Sequence, residues 1–258
     1  MLILAVAQGL TEFLPVSSSG HLVLLQHWFG SLEGDIFLVI VLHCGTLGSV
    51  VWVYRREIMR LLACDRPAWS YLIALGIGTV PAVIFSLLFK SAVEGLFNSP
   101  LSTGLALVVT ACLLFSTRFV RGSDQSLPEP WQPHPPPLLK ALFIGIAQAL
   151  AITPGISRSG ATIAASLWSG LPRAEAARFS FLLSVPAVGG ALALKLFEGE
   201  YATSSGLLQL VLAAVAAFGV GLLAIRWTAQ AVVARHFWKF CFYCLILGAV
   251  VIFVVGNG

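Results

Sequence analysis

The stretch AQGLTEFLPVSSSG, Ala7 to Gly20, returns 140 positions later as AQALAITPGISRSG, Ala147 to Gly160, with Ala, Gln, Leu, two Ser and Gly identical at that offset. Each copy is an apolar run broken by proline, glycine and serine, so the chain reads as two related halves. In a membrane protein, interrupted hydrophobic segments at corresponding places in two halves point to a ligand site near the bilayer midplane. The same breaks hold the most anomalous polar residues of the chain.

Working outward, hydrophobic residues make up 58% of the 258 positions, charged ones 10%, and the mean hydropathy is +0.93. Several apolar stretches are long enough to cross a bilayer, and no soluble domain needs so many. Met1 to Ala7 lacks the basic start of a leader, which reads as mature membrane protein. Six full spans are expected, roughly Ile36 to Tyr54, Trp69 to Phe89, Leu101 to Phe119, Arg178 to Phe197, Gly206 to Arg226 and Phe237 to Val255. The repeated segments, about 2–29 and 138–170, are too interrupted for simple spans and read as broken or re-entrant helix pairs. Non-helical backbone at that depth must be buried in protein or line a polar cavity.

Loop charge orients this plan. Arg55, Arg56, Arg60, Arg66, Arg118, Arg121, Lys140, Arg173, Arg178, Arg226, Arg235 and Lys239 all fall on one side if that side is cytoplasmic, leaving Lys90 and Lys195 outside. The first broken segment then enters from outside and the second from inside, so halves 1–119 and 138–258 have opposite orientation. Between them, 120–137 is proline-rich and poorly apolar, a cytoplasmic linker. The expected fold is an all-α integral membrane protein: six transmembrane helices plus two broken or re-entrant helix pairs in an inverted-topology repeat. The net charge of +4 belongs to the loops, and no nucleic-acid partner is expected.

Among the acidic residues only Glu12 is embedded in an apolar segment, and among the basic ones only Arg158. A charge at a helix centre in lipid costs about 2.5 to 3.5 kcal/mol on insertion scales, so such residues face a cavity or a partner. The bland alternative is an ion pair that merely clamps the halves. Against it stand Ser17, Ser18, Ser19, Gly20 and His21 in the first break, and Ser157, Ser159, Gly160 and Thr162 in the second. Serine and glycine before a renewed helix leave backbone N–H groups and a positive dipole end free to face an anion. Arg158 can add a bidentate contact, and phosphate or pyrophosphate suits the set. His21 beside hydroxyls and an arginine has the makings of a general acid or base. Gln8 and Glu12, four apart, share a helix face and could hold a divalent cation through oxygen, with substrate oxygens completing the shell.

Gln8-x-x-x-Glu12 with PVSSSGH (Pro15 to His21), PGISRSGAT (Pro154 to Thr162) and RFSFLLSVPA (Arg178 to Ala187) resemble the signature regions of the bacterial undecaprenyl-pyrophosphate phosphatases associated with bacitracin resistance. The resemblance covers nearly the whole chain. It implies an integral enzyme of the bacterial cytoplasmic membrane that removes one phosphate from the C55 isoprenyl pyrophosphate, regenerating the lipid carrier of cell-wall precursors. It also implies a divalent cation, magnesium or calcium. Carried over by position, it makes Glu12, Ser18, His21 and Arg158 the catalytic set and Gln8 with Glu12 the metal pair. The first motif position is Gln or Glu in the family, and Gln8 leaves Glu12 as the only embedded acid. The nucleophile is Ser18 or a water, the active site is expected to open to the extracytoplasmic side, and assembly is left open between a monomer and a homodimer.

Two other readings compete. Lipid phosphatases of the acid-phosphatase type 2 class need a His seven residues after the serine of their Ser-Arg pair and an Asp four beyond; counting from Ser157 gives Ala164 and Trp168, so that reading fails. Inverted repeats with broken helices also build transporters, so a flippase of a phosphorylated isoprenyl lipid, or an anion carrier, is the alternative function. Elsewhere, His43, in a span with Gly45 and Thr46, could approach the site but is expected to be a buried hydrogen-bonded histidine, Cys241 and Cys244 are expected to pack in an apolar span, and Pro81 and Pro186 to kink helices.

Overall fold

The structure is a computed structural model that describes residues 1–29, 36–97, 99–120, 131–199 and 206–256, and among these there is no strand. In chain order the first half holds α1 (Leu2–Thr11), α2 (Ser18–Phe29), α3 (Ile36–Val53), α4 (Arg55–Leu61), α5 (Arg66–Leu88), α6 (Lys90–Phe97) and α7 (Pro100–Ser116). The second holds α8 (Leu138–Leu150), α9 (Arg158–Trp168), α10 (Arg173–Glu198), α11 (Leu207–Val233) and α12 (Phe240–Gly256).

Helices α5, α7, α10, α11 and α12 are each long and apolar enough to cross a membrane, α7 and α12 counted with adjoining 3-10 turns, and α3 makes a sixth span if joined to α4, from which it is bent by 75°. The two repeated segments are different. Helix α1 has 10 residues and α8 has 13, so at 1.5 Å per residue each covers roughly half to two-thirds of a ~30 Å hydrocarbon layer before the chain breaks. The breaks fall at Phe13 to Ser17, where Pro15 has no N–H to give, and at Ala151 to Ser157, where Pro154 and Gly155 follow one another. Exposed Leu139, Leu207, Ile246 and Phe253 lie on the outside, while Thr103, Thr110, Ser166 and Thr228 are buried. Apolar outside and polar inside is the arrangement of a bundle whose solvent is lipid.

The halves interlock crosswise. Helix α1 of the first half packs on α11 of the second, α8 of the second packs on α5 of the first, and α7 packs on α12. Two crossings depend on glycine: a Cβ on Gly145 would lie 2.6 Å from the Gly78 carbonyl oxygen, and one on Gly248 would lie 2.8 Å from that of Gly104. Where lipid is as apolar as leucine, such close approach supplies the van der Waals contact that joins helices.

Several span limits differ from expectation, and for one reason. The fourth span begins at Arg173, not Arg178, the second at Arg66, and the fifth continues from Arg226 to Val233. Hydropathy marks only the apolar part of a helix, and these ends carry charges, which at the start of the fourth span the protein itself satisfies. Arg173 donates to the Val120 and Val232 carbonyl oxygens at 2.8 and 3.5 Å. Glu175, also buried, accepts from the Tyr71 hydroxyl (2.6 Å), Trp131 Nε1 (3.3 Å) and Arg178 Nη1 (3.1 Å), and Arg178 Nε lies 3.4 Å from Glu57. Glu175 lies near a span end, as expected of every acid but Glu12, yet it is buried as Glu12 is, which its position at a helix start did not announce. Within the expected linker, 121–130 lies outside the described residues, as do Glu200 and the Glu198 side chain, and Trp131 is buried against Tyr71.

Candidate active site

Both breaks are closed by the same device. Ser17 Oγ accepts from Gly20 N at 3.2 Å and lies 3.3 Å from Ser19 Oγ; Ser157 Oγ accepts from Gly160 N at 3.1 Å and lies 3.3 Å from Ser159 Oγ. Each is an N-cap serine serving the third residue of the helix it opens. The breaks are then tied to each other and to the opposite half. Ser17 Oγ also accepts from Gly155 N (3.1 Å), and Ser159 Oγ donates to Leu14 O (3.3 Å). Thr110 of α7 donates to Gly155 O (2.8 Å) and accepts from Ser157 N (3.1 Å), while Cys244 of α12 donates to Pro15 O (3.4 Å) and Thr228 of α11 to Phe13 O (3.1 Å). These bonds answer the backbone groups that the breaks would strand at membrane depth. Cys244 thus does more than pack. Gly155, at φ +97, is required: a Cβ there would lie 2.5 Å from Thr103 O.

Glu12 sits where α1 ends, its side chain 7% exposed, and it gathers polar groups from four helices. Arg158 Nη2 donates to Oε1 at 2.7 Å; Ser18 Oγ and Gln8 Nε2 donate to Oε2 at 2.7 and 3.0 Å; His43 Nε2 of α3 stands 3.8 Å from Oε2. The i, i+4 spacing of Gln8 and Glu12 does put both on one face. Arg158 and Ser18 open α9 and α2, so two helix N-termini, with their partial positive charge, converge beside this carboxylate. Thr162 Oγ1 donates to the Arg158 carbonyl at 2.8 Å and touches the Ser180 hydroxyl.

His21 is placed differently. Its Nδ1 lies 2.7 Å from Ser17 O and its Nε2 2.6 Å from the Tyr243 hydroxyl, with the two rings stacked at 5.7 Å. A carbonyl only accepts, so Nδ1 carries the proton, and in the neutral ring Nε2 accepts from Tyr243. Among the described residues, His21 is bonded to Ser17 and Tyr243 rather than to Glu12, Ser18 or Arg158. Ser17, Ser19, Gly20, Ser157, Ser159, Gly160 and Thr162 build the two helix starts, and most of their hydroxyls are already engaged within the protein. The polar run His43, Gly45, Thr46 inside an apolar span marks His43 as able to approach the site, though a structural role is preferred, and the structure sets it beside Glu12; sequence reasoning missed Tyr243, which lies in a distant apolar span with no such signal.

The set combines a hydroxyl, a carboxylate bonded to it, a guanidinium and helix N-termini. That is equipment for binding an oxyanion and moving a proton from an attacking oxygen. Gln8 reaches Glu12 through its amide N–H, and its Oε1 is buried with no hydrogen-bond donor. Glu12, already paired with Arg158, and Gln8 with its amide turned over are the side chains of this cluster that could offer oxygen to a divalent cation.

Fold and site together define a multi-pass, all-α membrane protein with a charged and hydroxyl-bearing cluster at the meeting of two broken helices. The chain belongs to the family described as bacitracin resistance protein BacA, whose profile matches residues 1–250. It is 38% identical to the undecaprenyl-diphosphatase of Desulfatibacillum aliphaticivorans, over 98% of this chain and 96% of that one. Against the undecaprenyl-diphosphatase of Korarchaeum cryptofilum it is 38% identical over 97% of both chains, and against that of Desulfosudis oleivorans 40% over 98% and 96%.

Proposed function

We propose that this chain is a membrane enzyme that hydrolyses undecaprenyl pyrophosphate to undecaprenyl phosphate and inorganic phosphate, returning the lipid carrier to cell-wall synthesis. The observation that carries the reading is the convergence of the Ser18 hydroxyl and the Arg158 guanidinium, each 2.7 Å from one buried carboxylate, Glu12, at two helix starts. Family membership and the names of the full-length relatives support the same activity.

The pyrophosphate would lie between the two breaks, with Arg158 and the N-termini of α2 and α9 on its oxygens and Ser17, Ser19, Gly20, Ser157, Ser159, Gly160 and Thr162 shaping the walls. Either Ser18 Oγ or a water attacks the terminal phosphorus, and the bond to the bridging oxygen breaks, leaving the isoprenyl monophosphate. In the first route the phosphoserine is then cleaved by water. Glu12, already bonded to Ser18, and His21, through Nε2, are the groups able to take the proton. Magnesium or calcium held by Glu12 and Gln8 would supply charge neutralisation on the pyrophosphate. Phosphoryl transfer asks chiefly for positioning and charge stabilisation, which these residues provide.

The reading places the enzyme in the bacterial cytoplasmic membrane with its site open to the extracytoplasmic side and its halves in opposite orientation. It involves no nucleic acid and is compatible with a homodimer, to be measured as mass in detergent. Labelling of Ser19→Cys by an impermeant reagent on the cytoplasmic face alone would overturn the stated side. The central test is phosphate release from farnesyl pyrophosphate in detergent, with and without chelator. Release that needs cation and is lost in Arg158→Ala and His21→Ala is expected; no release with cation present would favour transport instead.

A further inference from the structure

The sequence points to His21 for proton transfer but to no residue that would hold its ring, and the structure supplies one from α12. We infer that Tyr243 is a positioning residue for His21: its hydroxyl keeps the imidazole in one orientation while a proton is taken up at Nε2 and returned. The inference rests on the role of His21 proposed above.

Three observations carry it. The ring is held at both ends: Nδ1 lies 2.7 Å from Ser17 O, which also accepts the His21 backbone N–H at 3.2 Å, and Nε2 lies 2.6 Å from the Tyr243 hydroxyl. Because a carbonyl only accepts, Nδ1 keeps its proton, and Nε2 is the nitrogen at which the charge state changes. Next, the group facing Nε2 suits both states. A phenol donates to the neutral ring and, with a turn of its O–H, accepts from the protonated one, so the imidazole need not rotate between them. A carbonyl or an ammonium in that place would favour a single state. Last, burial does not explain the tyrosine. It is 48% exposed, its ring lies at 9° to that of His21 with centroids 5.7 Å apart, and among the described residues its hydroxyl bonds to His21 alone.

The helix that carries Tyr243 is fixed against the same break. Its neighbour Cys244 donates to Pro15 O at 3.4 Å, two residues before Ser17. Helices α2 and α12 both pack on α7, and where α7 crosses α12 a Cβ on Gly248 would lie 2.8 Å from Gly104 O. The separation of Tyr243 from His21 is thus set by three backbones and not by their own contact alone. Such a hold matters to a proton-transferring ring, since a misplacement of about 1 Å can cost roughly 10²-fold in rate. A plain staple between α2 and α12 would show in stability and leave turnover unchanged.

The test is Tyr243→Phe, which removes the hydroxyl and keeps the stacked ring, in the purified full-length protein in detergent with farnesyl pyrophosphate and cation. The kcat should fall about tenfold or more and KM should change less than about threefold; Tyr243→Leu serves if that variant does not fold. In protein labelled with ¹⁵N-histidine, the His21 signals are assigned by their loss in His21→Ala. They should show Nδ1 protonated in the unmodified chain, and the Nε2 signal should move in Tyr243→Phe while those of the other histidines stay. Unchanged kcat in a folded Tyr243 variant, a rise in KM alone, an unmoved Nε2 signal, or a neutral His21 protonated on Nε2 overturns this inference and leaves the hydrolase reading standing. Near-normal phosphate release by His21→Ala overturns it together with the role proposed for His21.

Discussion

The two breaks have the same construction and different contents. In both, a serine caps the third residue of the next helix and a second hydroxyl two positions on leans against the first. Yet Ser17 stands at φ +66 and Ser157 at −72, Glu12 corresponds to Ile152, and Ser18 corresponds to Arg158. The shared part makes two helix starts point at one place, which any anion would find favourable. The divergent part puts acid and hydroxyl on one side and guanidinium on the other, which is what a reaction needs. Repetition supplied the helix starts here, and divergence supplied the charged groups.

Breaking the divergent part should have the largest effect. Arg158→Ala is expected to lower phosphate release by about 10²- to 10³-fold, the usual cost of one group stabilising developing charge. Because it also leaves Glu12 buried without its cation partner, thermal unfolding in detergent should show a loss of about 3 kcal/mol or more. Arg158→Lys separates the two effects: stability should largely return, and release should not, since an ammonium lacks the planar fork.

The shared part should answer in stability. Thr110→Val leaves Gly155 O and Ser157 N unpaired in the second break and should cost about 2–3 kcal/mol, whereas Cys244→Ala removes one weak S–H bond in the first and should cost about 1 kcal/mol. Comparable losses for the two would mean that the breaks are not anchored as their bonds suggest. Ser157→Ala should lose about 1 kcal/mol as an N-cap, and Ser17→Ala more, because its hydroxyl also holds Gly155 N.

The smallest effect lies away from both breaks. Asp65 caps α5 through Ala68 N (3.0 Å) and pairs with Arg60 (2.6 Å), and these donors hold its carboxyl below the ordinary 3.8. A lowered folded-state value means that the contribution is present above the ordinary value and fades as pH falls through the lowered one. Asp65→Asn should flatten that acid limb slightly and leave phosphate release at neutral pH unchanged. A large shift would assign the rim a role that the breaks are argued to hold.

Much of this was legible beforehand, and for physical reasons. Span number follows from apolar length, and the breaks from Pro15, Pro154 and Gly155, which cannot continue a helix. Glu12 and Arg158 stood out because isolated charge in an apolar segment is costly, and the structure brings them to 2.7 Å. What stayed hidden depends on partners remote in sequence. Glu175 and Arg173 look solvated at a helix start, yet Tyr71, Trp131 and distant carbonyls bury them. Tyr243 looks like filler in its span, and His43 more like a structural histidine than a neighbour of Glu12.

The sequence by itself determined that this is an all-helical membrane protein with two related breaks, because hydropathy, proline and serine act locally and repeat visibly. Only the tertiary structure decided which groups share the carboxylate and which close the first break, since His43, Arg158, Tyr243 and Cys244 lie 31, 146, 222 and 229 residues from the partners they meet, brought there by helix crossings that no local pattern encodes. It is at those crossings that His43 meets Glu12, Tyr243 meets His21 and Cys244 meets Pro15.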